Sequence, residues 1–151
     1  MKKHTIFVYG TLSFDEVLSA LLGRKARGTP SKISGFKRIY IKNKRYPGLV
    51  KSAGTDLVEG MLHNDITDSE FKLLDTFEDD FYQRIMVKIR LGDKQLAKAE
   101  VYIVPKQNMK FATKIVWNRE EFGSKYKDEY LGMAKKFRAN YLDGIRKSQE
   151  F

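Results

Sequence analysis

The chain has 151 residues, 42% of them apolar and 13% aromatic, with no cysteine and two histidines; 29 Lys+Arg against 19 Asp+Glu leave a formal charge of +10. Domains run at roughly 100–200 residues, so this length predicts one domain spanning residues 1–151, and the apolar share excludes a disordered chain. The missing cysteine excludes a disulfide framework, a thiolate metal site and a thiol nucleophile, and two histidines cannot make a histidine-rich metal site alone.

At the start, MKKHTIFVYG has a basic end, and its short apolar run breaks at Gly10. No apolar run reaches the about 18 residues that a membrane span requires, which points to an intracellular, cytoplasmic protein with no membrane partner. A first strand is predicted over residues 5–9. Ser13-Phe14-Asp15-Glu16 then has the capping-box pattern, a hydroxyl followed three residues later by Glu. Behind it Phe14, Val17, Leu18, Leu21 and Leu22 recur at helical spacing, and Gly23 closes the predicted helix.

Residues 34–50 read as strands with a turn near Asn43-Lys44 and a bend at Tyr46-Pro47-Gly48-Leu49. Another strand is predicted over 56–62, and a second capping box, Thr67-Asp68-Ser69-Glu70, starts a short helix carrying Phe71, Leu73 and Leu74. Strands follow over 82–90 and 97–104, joined by a turn at Gly92-Asp93, with Ile85, Val87 and Ile89 alternating as a half-buried strand requires. Residues 105–113 read as loop. The last third reads as helix, with Tyr126, Tyr130, Met133, Ala134, Phe137, Tyr141 and Ile145 forming one apolar core stripe. The pattern is α+β, a mostly β centre with helices packed on it. Trp117 is expected in the core, and His4 and His63 at the surface.

The charge is concentrated. Residues 24–51 hold ten basic residues and no acidic one, whereas residues 52–85 hold nine acidic residues against Lys72 and Arg84. A basic stretch interleaved with Phe36, Tyr40 and Tyr46 could track a phosphate backbone. Lys37, Arg38, Lys42, Lys44 and Arg45, however, straddle Ile39 and Ile41 as the outward positions of surface strands would. No RNP, zinc-finger or GXXG pattern accompanies them, so no nucleic-acid partner is expected.

Two stretches could do chemistry. Val8-Tyr9-Gly10-Thr11-Leu12 joins a strand to a helix, and a tight turn there would aim successive N–H groups at a carboxylate or phosphate. No GxGxxG or Walker pattern makes it a nucleotide site. Further on, Asp75, Glu78, Asp79 and Asp80 crowd together beside Phe77 and Phe81. Neighbouring acids and apolar surroundings both raise a carboxyl pKa, which suits a proton shuttle near neutral pH; an exposed, solvated acidic loop is the alternative.

These motifs, VYGTL on the first strand, the YPGL bend, LDTFE followed by YQR, and Trp117 before Glu121-Phe122, resemble the γ-glutamylcyclotransferase-like superfamily. The closest resemblance is to its AIG2-like branch, similar to the γ-glutamylamine cyclotransferases, in order over about residues 5–140. The resemblance implies an α+β fold with a small, barrel-like mixed β-sheet, flanking helices and a long C-terminal helix.

It also implies an enzyme that converts a small γ-glutamyl amine or γ-glutamyl amino acid to 5-oxoproline and a free amine. The catalytic glutamate would be Glu78. Tyr9, Gly10, Thr11 and Leu12 would bind substrate, and Tyr82 and Arg84 would line or support the pocket. That chemistry requires no metal, cofactor or covalent intermediate, and nothing demands more than a monomer. Lys72 or Arg84 pairing with Glu78 would lower its pKa, and Asp79 or Asp80 could serve instead. Tyr46 and residues 106–113 are further candidates for the pocket wall. Two other classes stay open: an inactive carboxylate-binding relative, and a nucleic-acid binder built on residues 24–51.

Overall fold

Ile6, Phe7 and Val8 are consecutive and all buried, which marks the first strand, β1 (Lys3–Val8), as covered on both faces. The computed structural model describes residues 2–92 and 94–149. After β1 come a single 3-10 turn (Thr11–Ser13), α1 (Asp15–Leu22), β2 (Thr29–Ser34), β3 (Phe36–Ile41), β4 (Pro47–Lys51) and β5 (Leu57–Thr67). Then follow α2 (Asp68–Glu78), β6 (Gln83–Arg90), β7 (Leu96–Ile103), a 3-10 segment (Lys106–Phe111), β8 (Ala112–Val116) and α3 (Arg119–Gln149). The expected turn at Gly92-Asp93 lies partly outside the described residues, because Asp93 is not among them; the strands on either side pair from Arg90↔Leu96 to Gln83↔Ile103.

Five strands close a barrel in the order β1-β5-β2-β6-β7, antiparallel except where β1 meets β7. Phe7, Ile33, Val58, Leu62, Ile89 and Val101 fill it. A three-stranded sheet, β4-β3-β8, sits alongside and is tied on by the Val104 N–H donating to Leu49 O at 3.0 Å. Outside the barrel, α1, α2 and α3 bury a second cluster around Leu18, Leu21, Leu74, Trp117 and Phe122. The α+β class, the mixed barrel and the long terminal helix expected from the resemblance are all present. No helix among the described residues is long and apolar enough to cross a membrane.

The Thr67 box forms as its spacing predicts. The Thr67 hydroxyl accepts from Glu70 N–H, and the Glu70 carboxylate accepts from Thr67 N–H. Gly23 closes α1 in the left-handed conformation (φ 71°), as a C-terminal glycine does.

Other expectations need correcting. Ser13 does not cap α1, whose N-cap is Phe14; the Ser13 hydroxyl instead donates to Gly10 O at 2.6 Å and accepts from Arg119 Nε at 2.9 Å. The helix over Phe71–Leu74 runs on to Glu78, and the stretch 105–113, expected as loop, holds a 3-10 segment at Lys106–Phe111 and the first two residues of β8. β2, a segment with no assignment from sequence, pairs with both β5 and β6. His63 is buried (2% exposed), because β5 carries it beneath Gly28. On α3, Met133 and Ile145 are exposed: Ile145 lies beyond the body the stripe packs against, and Met133 lies on the wall of a cavity.

Candidate active site

β1 ends at Val8, and Tyr9 turns inward, its hydroxyl donating to Tyr102 O at 2.6 Å on β7. The chain then folds into the 3-10 turn, closed by Ser13 N–H on Gly10 O at 3.0 Å. Gly10 packs against the Pro47 ring so closely that a Cβ would lie 2.8 Å from Pro47 Cγ, which explains the absence of a side chain there. The N–H groups of Gly10, Thr11 and Leu12 have no protein acceptor among the described residues. From behind, Arg38 Nη1 donates to Tyr9 O at 2.9 Å and Arg119 Nη2 to Ser13 O at 3.0 Å.

The opposite wall comes from α2. Leu73, Leu74 and Phe71 anchor the helix in the core, and Glu78 is its last residue. The Glu78 carboxyl and the Tyr9–Leu12 loop line one cavity of about 320 Å³. Burial, and then the nearby Asp75 carboxylate, push the Glu78 carboxyl up to about 8. Among the described residues nothing forms a hydrogen bond or ion pair with it. Lys72 and Arg84, the two bases that could have lowered it, do not reach it. Arg84 instead grips Asp75 at 2.8 Å and Glu100 at 3.1 Å and stacks its guanidinium over Phe71. Arg84 is therefore not on the cavity wall and acts one layer behind it.

Tyr82 does line the cavity, its hydroxyl donating to Pro47 O at 2.7 Å. Tyr102 is a wall residue that the sequence did not mark; its hydroxyl donates to Asp75 at 2.6 Å, the acid beside Glu78. Burial raises the hydroxyls of Tyr9, Tyr82 and Tyr102 above the ordinary tyrosine range, so all three stay protonated donors. Tyr46 reaches the cavity, and Asp79 borders it, whereas residues 106–113 do not.

The remaining wall is α3. Tyr130, Met133 and Phe137, read as core from their helical spacing, close the cavity's side. That spacing was the available signal, and it is shared by every packed helix. Among the described residues, no lysine, arginine or histidine lines the cavity, and its acids are Glu78 and Asp79. No three His, Cys, Asp or Glu side chains converge as a metal would need among the described residues.

The arrangement places N–H groups without protein acceptors on one wall, a carboxyl raised to about 8 on the other, and aromatic surface between them. A model of the family described as "Gamma-glutamyl cyclotransferase, AIG2-like" matches residues 6–120. "AIG2-like protein D" of Arabidopsis thaliana is 33% identical over 138 residues, covering 89% of this chain and 88% of its own length. An A. thaliana protein solved in solution superposes with a TM-score of 0.66 at 25% identity, over 93% of this chain and 94% of that one. A solved structure titled "Gamma-glutamyl cyclotransferase" shares the fold, with a TM-score of 0.62 at 17% identity, over 91% of this chain and 88% of that one.

Proposed function

The chain belongs to the AIG2-like γ-glutamyl cyclotransferase family, and from that premise we propose that it cyclises a γ-glutamyl amine or γ-glutamyl amino acid to 5-oxoproline, releasing the amine. The carrying observation is a carboxyl raised to about 8, Glu78, on a cavity that the unengaged N–H groups of Gly10, Thr11 and Leu12 also line.

The substrate's α-carboxylate binds those N–H groups, which stabilise negative charge and select the γ-glutamyl end. Its α-ammonium then lies toward Glu78. The carboxylate form of Glu78 takes a proton from the ammonium, and the freed amine attacks the γ-carbonyl carbon of the same molecule. The new C–N bond closes the five-membered ring, Glu78 returns the first proton to the leaving nitrogen and takes the second from the attacking nitrogen, and the old amide C–N bond breaks to give the lactam. The second proton leaves with the released amine as its ammonium, which restores the Glu78 carboxylate. Attack is intramolecular, so the cavity contributes mainly by holding the glutamyl chain bent. Tyr46, Tyr82 and Tyr130 bound the space left for the leaving amine.

Incubation with γ-glutamyl amines and γ-glutamyl dipeptides, read as 5-oxoproline formed, tests this reading. Glu78→Gln keeps the shape and removes the base, so turnover should fall about 10²–10⁴-fold while substrate still binds. Unchanged turnover in Glu78→Gln would remove Glu78 from the mechanism. Saturable binding across the panel with no 5-oxoproline would make the protein a carboxylate-binding relative instead.

A further inference from the structure

A second concavity, of about 910 Å³, opens on the other side of the Tyr9–Ser13 loop, between β2, β3, the end of β6 and the start of α3. Lys32, Arg38, Arg90 and Arg119 line it, against Glu59 and Glu120 among the described residues. Glu59 is exposed and stands 4.0 Å from Lys32, at the limit of an ion pair. The two half-buried bases, Arg38 and Arg119, meet no carboxylate among the described residues.

Arg38 Nη1 donates to two backbone carbonyls, Tyr9 O at 2.9 Å and Glu59 O at 3.1 Å, and its Nε is buried with no partner. Arg119 spends Nε and Nη2 on Ser13. The guanidiniums stack on Trp117 and Phe14 respectively. Burial, and then Arg119 beside it, push the Arg38 guanidinium below the ordinary arginine range. No carboxylate forms an ion pair with either guanidinium among the described residues, and Glu59 on Arg38 and Arg119 on Glu16 act only at longer range. Two guanidiniums so placed in a partly desolvated groove suit a ligand that brings negative charge with it, and their remaining N–H groups match phosphate oxygens.

We propose that this groove binds a small phosphate-type dianion, free or as a phosphate ester, through Arg38 and Arg119, and that the bound anion stiffens the Tyr9–Ser13 loop from behind. The two arginines already hold that loop through the Tyr9 carbonyl and Ser13. An anion bridging them fixes both guanidiniums, and through them the turn whose N–H groups face the other cavity. The site is independent of the reaction assigned to that cavity, and its test does not use turnover. Extended polyanions are the weaker fit, because the other bases of residues 24–51 are dispersed: Lys37 stands 4.0 Å from Asp56, and Arg45 is paired with Glu129 at 2.6 Å.

Trp117, the chain's one tryptophan, lies on the groove wall under Arg38 and so reports on it directly. Titration with inorganic phosphate, and separately with a nucleoside 5′-monophosphate, should change Trp117 fluorescence saturably, whereas chloride at matched ionic strength should not. Arg90→Gln, at an exposed position remote from the loop, should weaken the binding several-fold, and Arg119→Gln should abolish it. Bound phosphate should slow amide hydrogen exchange across residues 9–13. Saturation by phosphate but not the monophosphate assigns the site to the free ion, and the reverse assigns it to an ester. The proposal is overturned if neither anion saturates, if chloride reproduces the change, if Arg90→Gln and Arg119→Gln bind as wild type, or if exchange in residues 9–13 is unaltered by bound anion. Binding of a polynucleotide with no response to either small anion overturns it as well.

Discussion

Glu78 owes its raised pKa first to burial against Phe77, Tyr82 and the other cavity walls, and second to Asp75 one helical turn earlier. Asp75 is held in place by the Tyr102 hydroxyl and by Arg84. The two contributions separate in Asp75→Asn, which keeps the shape and removes the charge. The ionisation of Glu78 then moves to lower pH, so the rising limb of kcat/KM against pH, which the proposed role of Glu78 puts near 8, should shift to the acid side. It should stay above the ordinary glutamate range, because burial is the larger cause. A limb that does not move would show that Asp75 exerts no influence on the group titrating. The crowding of acids near Phe77 was legible in the sequence. The destination of Arg84 was not, since Asp75 and Glu78 lie at similar sequence distances from it and only the packing of α2 against β6 and β7 decides between them.

At the level of elements, α2 is the decisive one. It begins where Thr67 and Glu70 say it should, because a capping box is satisfied within four residues. It ends at Asp79 with φ 66° and ψ −173°, a backbone conformation that glycine adopts and other residues occupy at a cost of about 1–3 kcal/mol. That strained residue follows Glu78 directly and sets the angle at which the chain leaves the cavity wall. Asp79→Gly should therefore raise the unfolding free energy by about 1 kcal/mol or more, read as a higher denaturant midpoint, the loss of the Asp79 carboxylate's bond to Asp80 N–H notwithstanding. A destabilised Asp79→Gly would mean that the turn is not under strain. The other box, Ser13 to Glu16, has the same local spacing, but Arg119, 106 residues away, draws the Ser13 hydroxyl elsewhere. Local spacing alone cannot register such a competitor.

Across the whole molecule, His63 shows how burial overrides composition. Among the described residues its ring nitrogens find no hydrogen bond, and Nε2 lies 3.9 Å from Asp15 Oδ1, which accepts instead from Gly28 N–H. Burial lowers its pKa, opposed by Asp15 and Asp65 and aided by Arg24. The folded protein thus holds His63 neutral where the unfolded chain, with an ordinary pKa of about 6.5, takes up a proton. Stability from this source is complete above that value and is lost as pH falls below it toward the depressed folded value. Urea midpoints should fall between about pH 7 and pH 5 in the native protein and fall less in His63→Gln. Parallel losses in both would assign the acid sensitivity to other groups.

The net charge of +10 follows the same logic. Its bases lie on strands, loops and α3 alike, and several turn inward to structural tasks, Arg38 onto Tyr9, Arg84 onto Asp75 and Arg119 onto Ser13. By itself the sequence determined the α+β class, the strand-turn-helix at Tyr9–Leu12, the Thr67 box and the acidic run from Asp75 to Asp80, because these rest on spacings of a few residues. Only the tertiary structure decided that α3 walls the cavity, that Arg84 serves Asp75, that His63 is buried and that Arg38 and Arg119 meet behind the loop. Those are contacts across tens of residues, settled by closure of the barrel and the seating of the long helix against it.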